Sequence, residues 1–233
     1  TLNTLNNLVG AYYSVGRFAE AIDAGEKLLP DCQRVLGADH PDTLTVRNNL
    51  AVAYGSVGRF GEAVELFEQV LAERKRLLGA DHPDTLNTRN NLAGAYDSVG
   101  RFSEAIDEWE KLLPDCQRVL GADHPDTLNV RNNLAVAYDS VGRFSEAIEL
   151  FEQVLAERKR LLGADHPDTL NVRNNLAIAY YSVGRLAEAI DEWEELLPDC
   201  RRVLGPEHPF TKQVKNILEM ARCEMNQSTA SSE

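Results

Sequence analysis

The chain has 233 residues, 43% hydrophobic and 26% charged, enough to bury a core and keep a hydrated surface. Lys and Arg number 24 against 37 Asp and Glu, a formal charge of -13, which argues against nucleic acid or an anionic membrane as main partner because both repel an acidic surface. No apolar run approaches the roughly 20 residues that span a bilayer, and four Cys are too few for a disulfide scaffold, so a reducing, cytoplasmic setting is expected.

Internal repetition governs everything that follows. The opening TLNTLNNLVGAYY lacks a leader pattern and already reads as helix, as expected for a cut from a longer protein. The string GADHPDTL then starts at 37, 79, 121 and 163, every 42 residues, and GPEHPFT starts at 205. Such a period marks stacked repeats. A second period of 84 lies on top: EKLLPDCQRVL at 26–36 returns at 110–120, and nearly so at 194–204 as EELLPDCRRVL. The units between carry EQVLAERKRLL instead. Residues 37–120 and 121–204 differ at only eleven positions, four of them on one helix face (Thr45/Asn129, Gly55/Asp139, Gly94/Ile178, Asp97/Tyr181).

Each unit reads as two helices. Pro41 suits a first turn, because its missing N–H is not needed there, and His40 before it is pushed out of the helical region. Leu44, Val46, Leu50, Ala53 and Tyr54 recur mostly at spacings of three and four, giving an apolar stripe. Gly58 supplies the stop. The second helix carries Ala63, Val64, Phe67, Val70 and Leu71 and ends at Gly79. Helices are therefore expected near 41–57 and 60–78, repeating every 42 residues, with no strand. Pro30, Pro114 and Pro198 fall late in second helices, where Pro removes a hydrogen bond and clashes with the preceding turn, so a bend or break is expected at each. The units run 1–36, 37–78, 79–120, 121–162 and 163–204. Residues 205–225 form an amphipathic capping helix, and 226–233 a mobile tail.

The run NLAVAYGSVGRFGEAVELFEQVL at 49–71 resembles the tetratricopeptide repeat, with Leu50, Ala53, Tyr54, Gly58, Phe60, Ala63 and Phe67 at its signature positions. The 42-residue period with its GxDHPDT loop and NNLA run is closest to the kinesin light chain form. Similar arrays occur in bacterial regulatory proteins. Arg47, Arg89, Arg131 and Arg173 stand where that family often has Trp. The resemblance implies an all-α, right-handed TPR solenoid of five helical hairpins plus a C-terminal capping helix, acting as a non-enzymatic protein-interaction scaffold.

The candidate chemistry is sparse. The five His recur one per loop, too far apart to share an ion at metal–ligand distances, so they structure loops and no metal or cofactor is expected. Cys32, Cys116 and Cys200 recur every 84 residues and read as buried thiols. No phosphate-binding loop or nucleophile elbow occurs, and an enzyme would need one asymmetric site where this chain has copies. The Asn residues differ. Asn is a poor helix former, yet Asn6, Asn48, Asn90, Asn132 and Asn174 recur inside first helices, with Asn87, Asn129 and Asn171 three residues before the last three. That spacing puts them on one face, which continues to Tyr13, Asp97, Asp139 and Tyr181. An amide both donates and accepts, so free amides at Asn90, Asn132 and Asn174 would suit a peptide backbone. In kinesin-light-chain-like arrays this face is implied to line a concave groove. The expected partner is a protein or peptide with basic residues. The alternative is self-association within a larger regulatory protein.

Overall fold

The computed structural model describes residues 2–230, with the side chains of 8–227. Among the described residues there are helices and no strand: α1 (Leu2–Ser14), α2 (Phe18–Leu36), α3 (Pro41–Ser56), α4 (Phe60–Leu78), α5 (Pro83–Ser98), α6 (Phe102–Val119), α7 (Pro125–Ser140), α8 (Phe144–Leu162), α9 (Pro167–Ser182), α10 (Leu186–Val203) and α11 (Pro209–Ala230). The 42-residue register holds throughout.

The recurring loop residues explain where the helices start and stop. His40, His82 and His166 each occupy an N-cap with extended backbone, and Pro follows in the first turn. Each His Nδ1 accepts from the backbone N–H two residues on, at 3.1–3.2 Å, and His124 and His208 repeat the bond. One orphan donor of the helix end is thus satisfied. Gly58 ends the hairpin's first helix with φ 81°, a left-handed conformation that only Gly adopts readily. Arg59 then lays its guanidinium 3.9 Å from the centre of the Tyr54 ring and pairs with Glu62 at 2.5 Å, stapling the turn. Copies of the cation–π contact occur at Arg17, Arg101, Arg143 and Arg185.

Two compact units are formed, Thr1–Val130 and Arg131–Glu233, the boundary falling inside α7. In the first, consecutive helices from α1 to α6 pack in sequence, and α3 also touches both α1 and α5. The first helices of successive hairpins therefore share one face. Val9, Ile22, Leu28, Val46 and Leu50 form one core cluster, and Val64, Phe67, Leu71 and Leu92 the next. In the second unit α8, α9, α10 and α11 pack in sequence around Leu170, Ile190, Trp193, Leu196, Val214 and Leu218. One hairpin cannot cover its apolar face alone, so each core is completed by the neighbouring hairpin.

The prolines do not break their helices, and the last helix runs past its expected end. Helices α2, α6 and α10 run through Pro30, Pro114 and Pro198 without a break. All three rings lie on the exposed side, where the carbonyl that loses its partner, four residues earlier, can turn to water. Buried Leu28 and Cys32, and their counterparts, hold the opposite side of the helix. The last helix also continues to Ala230, five residues past the cap end expected at 225. Residues 231–233 lie outside the described chain.

Candidate functional site

The shared face of α1, α3 and α5 holds a hollow of 230 Å3, with Val9, Gly10 and Val52 as apolar floor, Tyr13 at one side, and the amides of Asn48, Asn49, Asn87 and Asn91 around it. A Cβ added at Gly10 or Gly55 would meet nothing within 4 Å, so this face is open. Asn91 donates its amide to Asn87 Oδ1 at 3.2 Å. A second hollow of 200 Å3 lies where α5 and the end of α6 meet the start of α7, lined in part by Asn87, Asn90, Asn129 and Cys116. Asn48, Asn87, Asn90, Asn129 and Tyr13 are thus brought together in the first unit. Asn132, Asp139, Asn171, Asn174 and Tyr181 fall on α7 and α9 of the second. The side chain of Asn6 lies outside the described residues.

The first Asn of each pair is not the free amide expected. Trp109 Nε1 donates to Asn90 Oδ1 at 2.9 Å, and Trp193 Nε1 to Asn174 Oδ1 at 3.0 Å. These bonds tie the two helices of one hairpin together. Asn174 is itself buried. The alternate hairpins carry Phe67 and Phe151, which have no N–H, at the Trp positions. There Asn48 Oδ1 accepts from Thr88 instead, at 3.4 Å, and Asn132 Oδ1 is buried without a partner. Asn90 and Asn174 thus reach the second helix of their own hairpin, Asn48 the first helix of the next, and Asn49 and Asn91, one residue on, line the open hollow beside Asn48. Asn87, Asn129 and Asn171 are exposed.

The remaining face residues join neighbouring hairpins. Ser56 donates to Tyr13 Oη at 3.4 Å, and Tyr181 Oη donates to Glu224 of α11 at 2.5 Å. Asp139 is hydrogen-bonded by Ser182, yet one of its oxygens, like one of Asp97, is buried without a partner. Burial raises the pKa of both carboxyls. Each sits in the last turn of its helix, at the negative end of the macrodipole.

Beneath the face, the Arg that replaces the family's usual Trp forms a clamp. Buried Arg89 reaches Glu108 at 2.5 Å and Asp115 at 2.8 Å on α6. Arg173 does the same with Glu192 at 2.6 Å and Asp199 at 2.8 Å on α10. Asp115 and Asp199 are held below the usual carboxylate range by these hydrogen bonds and those of Arg118 and Arg202. In an alternate hairpin, Arg47 donates to Gln69 Oε1 at 2.7 Å. Burial lifts the Cys116 and Cys200 thiols to about 11, so neither is a ready nucleophile. Reading the sequence for the face alone missed Trp109, Trp193 and the Arg clamps. The 84-residue period carried that signal, since Trp, Glu and Asp return together on α6 and α10.

Among the described residues no three His, Cys, Asp or Glu converge as metal ligands, and no helix is long and apolar enough to cross a membrane. No curated protein sequence matches the chain. Among solved structures, a kinesin-light-chain-type protein of Podosopora anserina with nearly identical TPR-like repeats is 33% identical, with TM-score 0.68 over 89% of this chain and 97% of its own. A Rap protein complexed with competence and sporulation factor is 13% identical, with TM-score 0.72 over 94% of this chain and 64% of its own. The Rap conjugation gene regulator of a plasmid, in complex with the Phr* peptide, is 14% identical, with TM-score 0.74 over 91% and 56%. Both show likeness of fold alone. A profile of the tetratricopeptide repeat matches residues 1–72 and 56–108, and a second matches 127–168 and 169–210. With the hairpin register, the glycine stops and these matches in agreement, the chain belongs to the tetratricopeptide repeat family.

Proposed function

We infer that the chain is a non-enzymatic interaction scaffold that takes an extended peptide segment of a partner on the face shared by its first helices. The observation that carries this reading is the 230 Å3 hollow on α1, α3 and α5, which pairs an apolar floor with a rim of amides. Apolar floor and a few placed polar groups are the usual make-up of a ligand site. Amides that donate and accept suit a peptide backbone. The Rap relatives solved with competence and sporulation factor and with the Phr* peptide lend support at the level of fold. A formal charge of -13, with the carboxyl of Asp97 on α5 of the same unit, favours a partner bearing Lys or Arg. The four Cys are unpaired, which fits a reducing, cytoplasmic setting.

Asn87 and Asn129 are the exposed Asn residues of the first unit's two hollows. Replacing both with Ala should leave helical content unchanged and weaken a peptide selected on the wild-type chain by about 0.5–1.5 kcal/mol per lost hydrogen bond. Unchanged affinity in the double variant would count against the reading.

A further inference from the structure

The two hollows of the first unit share Asn87 and Asn91, so a segment lying across the first can reach the second. What the second is shaped to hold is shown by the hairpin before it. On α4, Arg74 is buried, only 4% exposed. Its Nη1 donates to the backbone carbonyl of Asp84 at 3.0 Å and to Thr88 Oγ1 at 2.8 Å, and its Nη2 to Thr45 Oγ1 at 3.3 Å. The side chain thus fills the space between α3 and α5. One repeat on, 42 residues later, the same position is Cys116. A thiol is too short to reach across.

The positions that surround Arg74 recur around Cys116, with two of the three residues changed. Asn87 stands for Thr45, Asp126 for Asp84 and Val130 for Thr88, and all three line the 200 Å3 hollow with Cys116. Asn87 is a longer acceptor than Thr45, and Val130 removes one hydroxyl. The first-turn carbonyl of Asp126 remains. We propose that this hollow is a vacated arginine socket, filled by an arginine side chain of the bound partner in the place that Arg74 takes within the chain. The proposal rests on the peptide reading above and names its anchor residue. Arginine fits better than lysine, because its planar fork offers several donors to acceptors fixed on two helices, as Arg74 does. The Asp126 carboxylate supplies the opposite charge. Burial raises the pKa of the Cys116 thiol most, the Arg89 guanidinium lowers it, and the Asp126 and Asp115 carboxylates raise it, so one cation and two anions act at this spot.

The test is selection of short random peptides by the wild-type chain, followed by titration of a selected peptide against wild type and Cys116→Arg. We expect arginine at one position of the selected peptides. Replacing it by citrulline, its neutral isostere, should weaken binding about tenfold or more, as for hydrogen bonds to a charged group. Cys116→Arg, with helical content and melting temperature at or above wild type, should lose a similar factor because it fills its own socket. If that variant does not fold, Cys116→Leu blocks the hollow with apolar carbon and should show the same loss. Selected peptides without a preference for arginine, or equal binding to the filled variant, would overturn the socket and leave the groove standing. If no peptide is selected, the groove reading fails on its own. The socket is then read by titrating acetyl-arginine methylamide into isotope-labelled wild type. Shifts of the Asn87 and Asn129 side-chain amides, absent with the citrulline analogue, support it, and unshifted amides overturn it.

Discussion

At the scale of single residues, the same Asn has different work in alternate hairpins because its partner across the hairpin changes. Asn174 accepts from buried Trp193, so Asn174→Ala strands an indole N–H and should cost about 1–3 kcal/mol in urea unfolding. Asn132 Oδ1 has no such donor, and Asn132→Ala should cost clearly less. Equal losses in the two variants would show that the indole bond contributes nothing. Asp139 offers a second test. Burial raises its pKa, so the native state holds the proton more tightly than the unfolded chain does. Its contribution is most favourable below the unfolded carboxylate pKa, about 4, and is lost as pH rises through the native value. Asp139→Asn should therefore raise the melting temperature more at pH 7 than in acid, and an equal shift at both would remove burial of charge as the cause.

At the scale of the element, a Pro inside a helix need not break it when the lost bond faces water. In α6, Pro114 leaves the Glu110 carbonyl without its helical donor, yet the helix persists to Val119 because Trp109, Leu112 and Cys116 are buried on its other side. Pro114→Ala restores the donor and relieves the clash, against the loss of the entropy that Pro removes from the unfolded chain, about 0.4–1 kcal/mol. An interior Pro costs about 3 kcal/mol in a regular helix, so the net gain should be about 2 kcal/mol or slightly more by chemical denaturation. No gain would mean that α6 has already relaxed around the ring.

At the scale of the molecule, stability in a repeat array is close to a sum of local terms. The clamp of Arg89 on α6 recurs as that of Arg173 on α10, and the two share no hydrogen-bond partner among the described residues. Removing one member of a buried ion pair costs about 3–5 kcal/mol. Here the carboxylates keep some solvent, so Arg89→Ala and Arg173→Ala should each cost about 2–3 kcal/mol. The costs should be additive in the double variant within about 0.5 kcal/mol. Strong non-additivity in the unfolding midpoints would show the two clamps to be coupled.

Fold class and hairpin register were legible in the sequence because they depend on local signals repeated in every unit. His and Pro set each first helix, Gly ends it, and the apolar spacing of three and four identifies the buried face. That Asn87 and Asn90 lie on one side of α5, where both line a hollow, was legible for the same reason, since side chains three apart on a helix share a side. What the sequence could not decide is which way each amide turns. That depends on the residue packed against it from another helix: Trp109 or Trp193 draws the carbonyl of Asn90 or Asn174 inward, while Phe151 leaves that of Asn132 without a donor. The hollow beside Cys116 was likewise out of reach, because a vacancy is defined by what fails to fill the space between two helices. Periodicity along the chain determines which residues face which side, and only tertiary packing decides whether a polar group there is already satisfied or still open to a ligand.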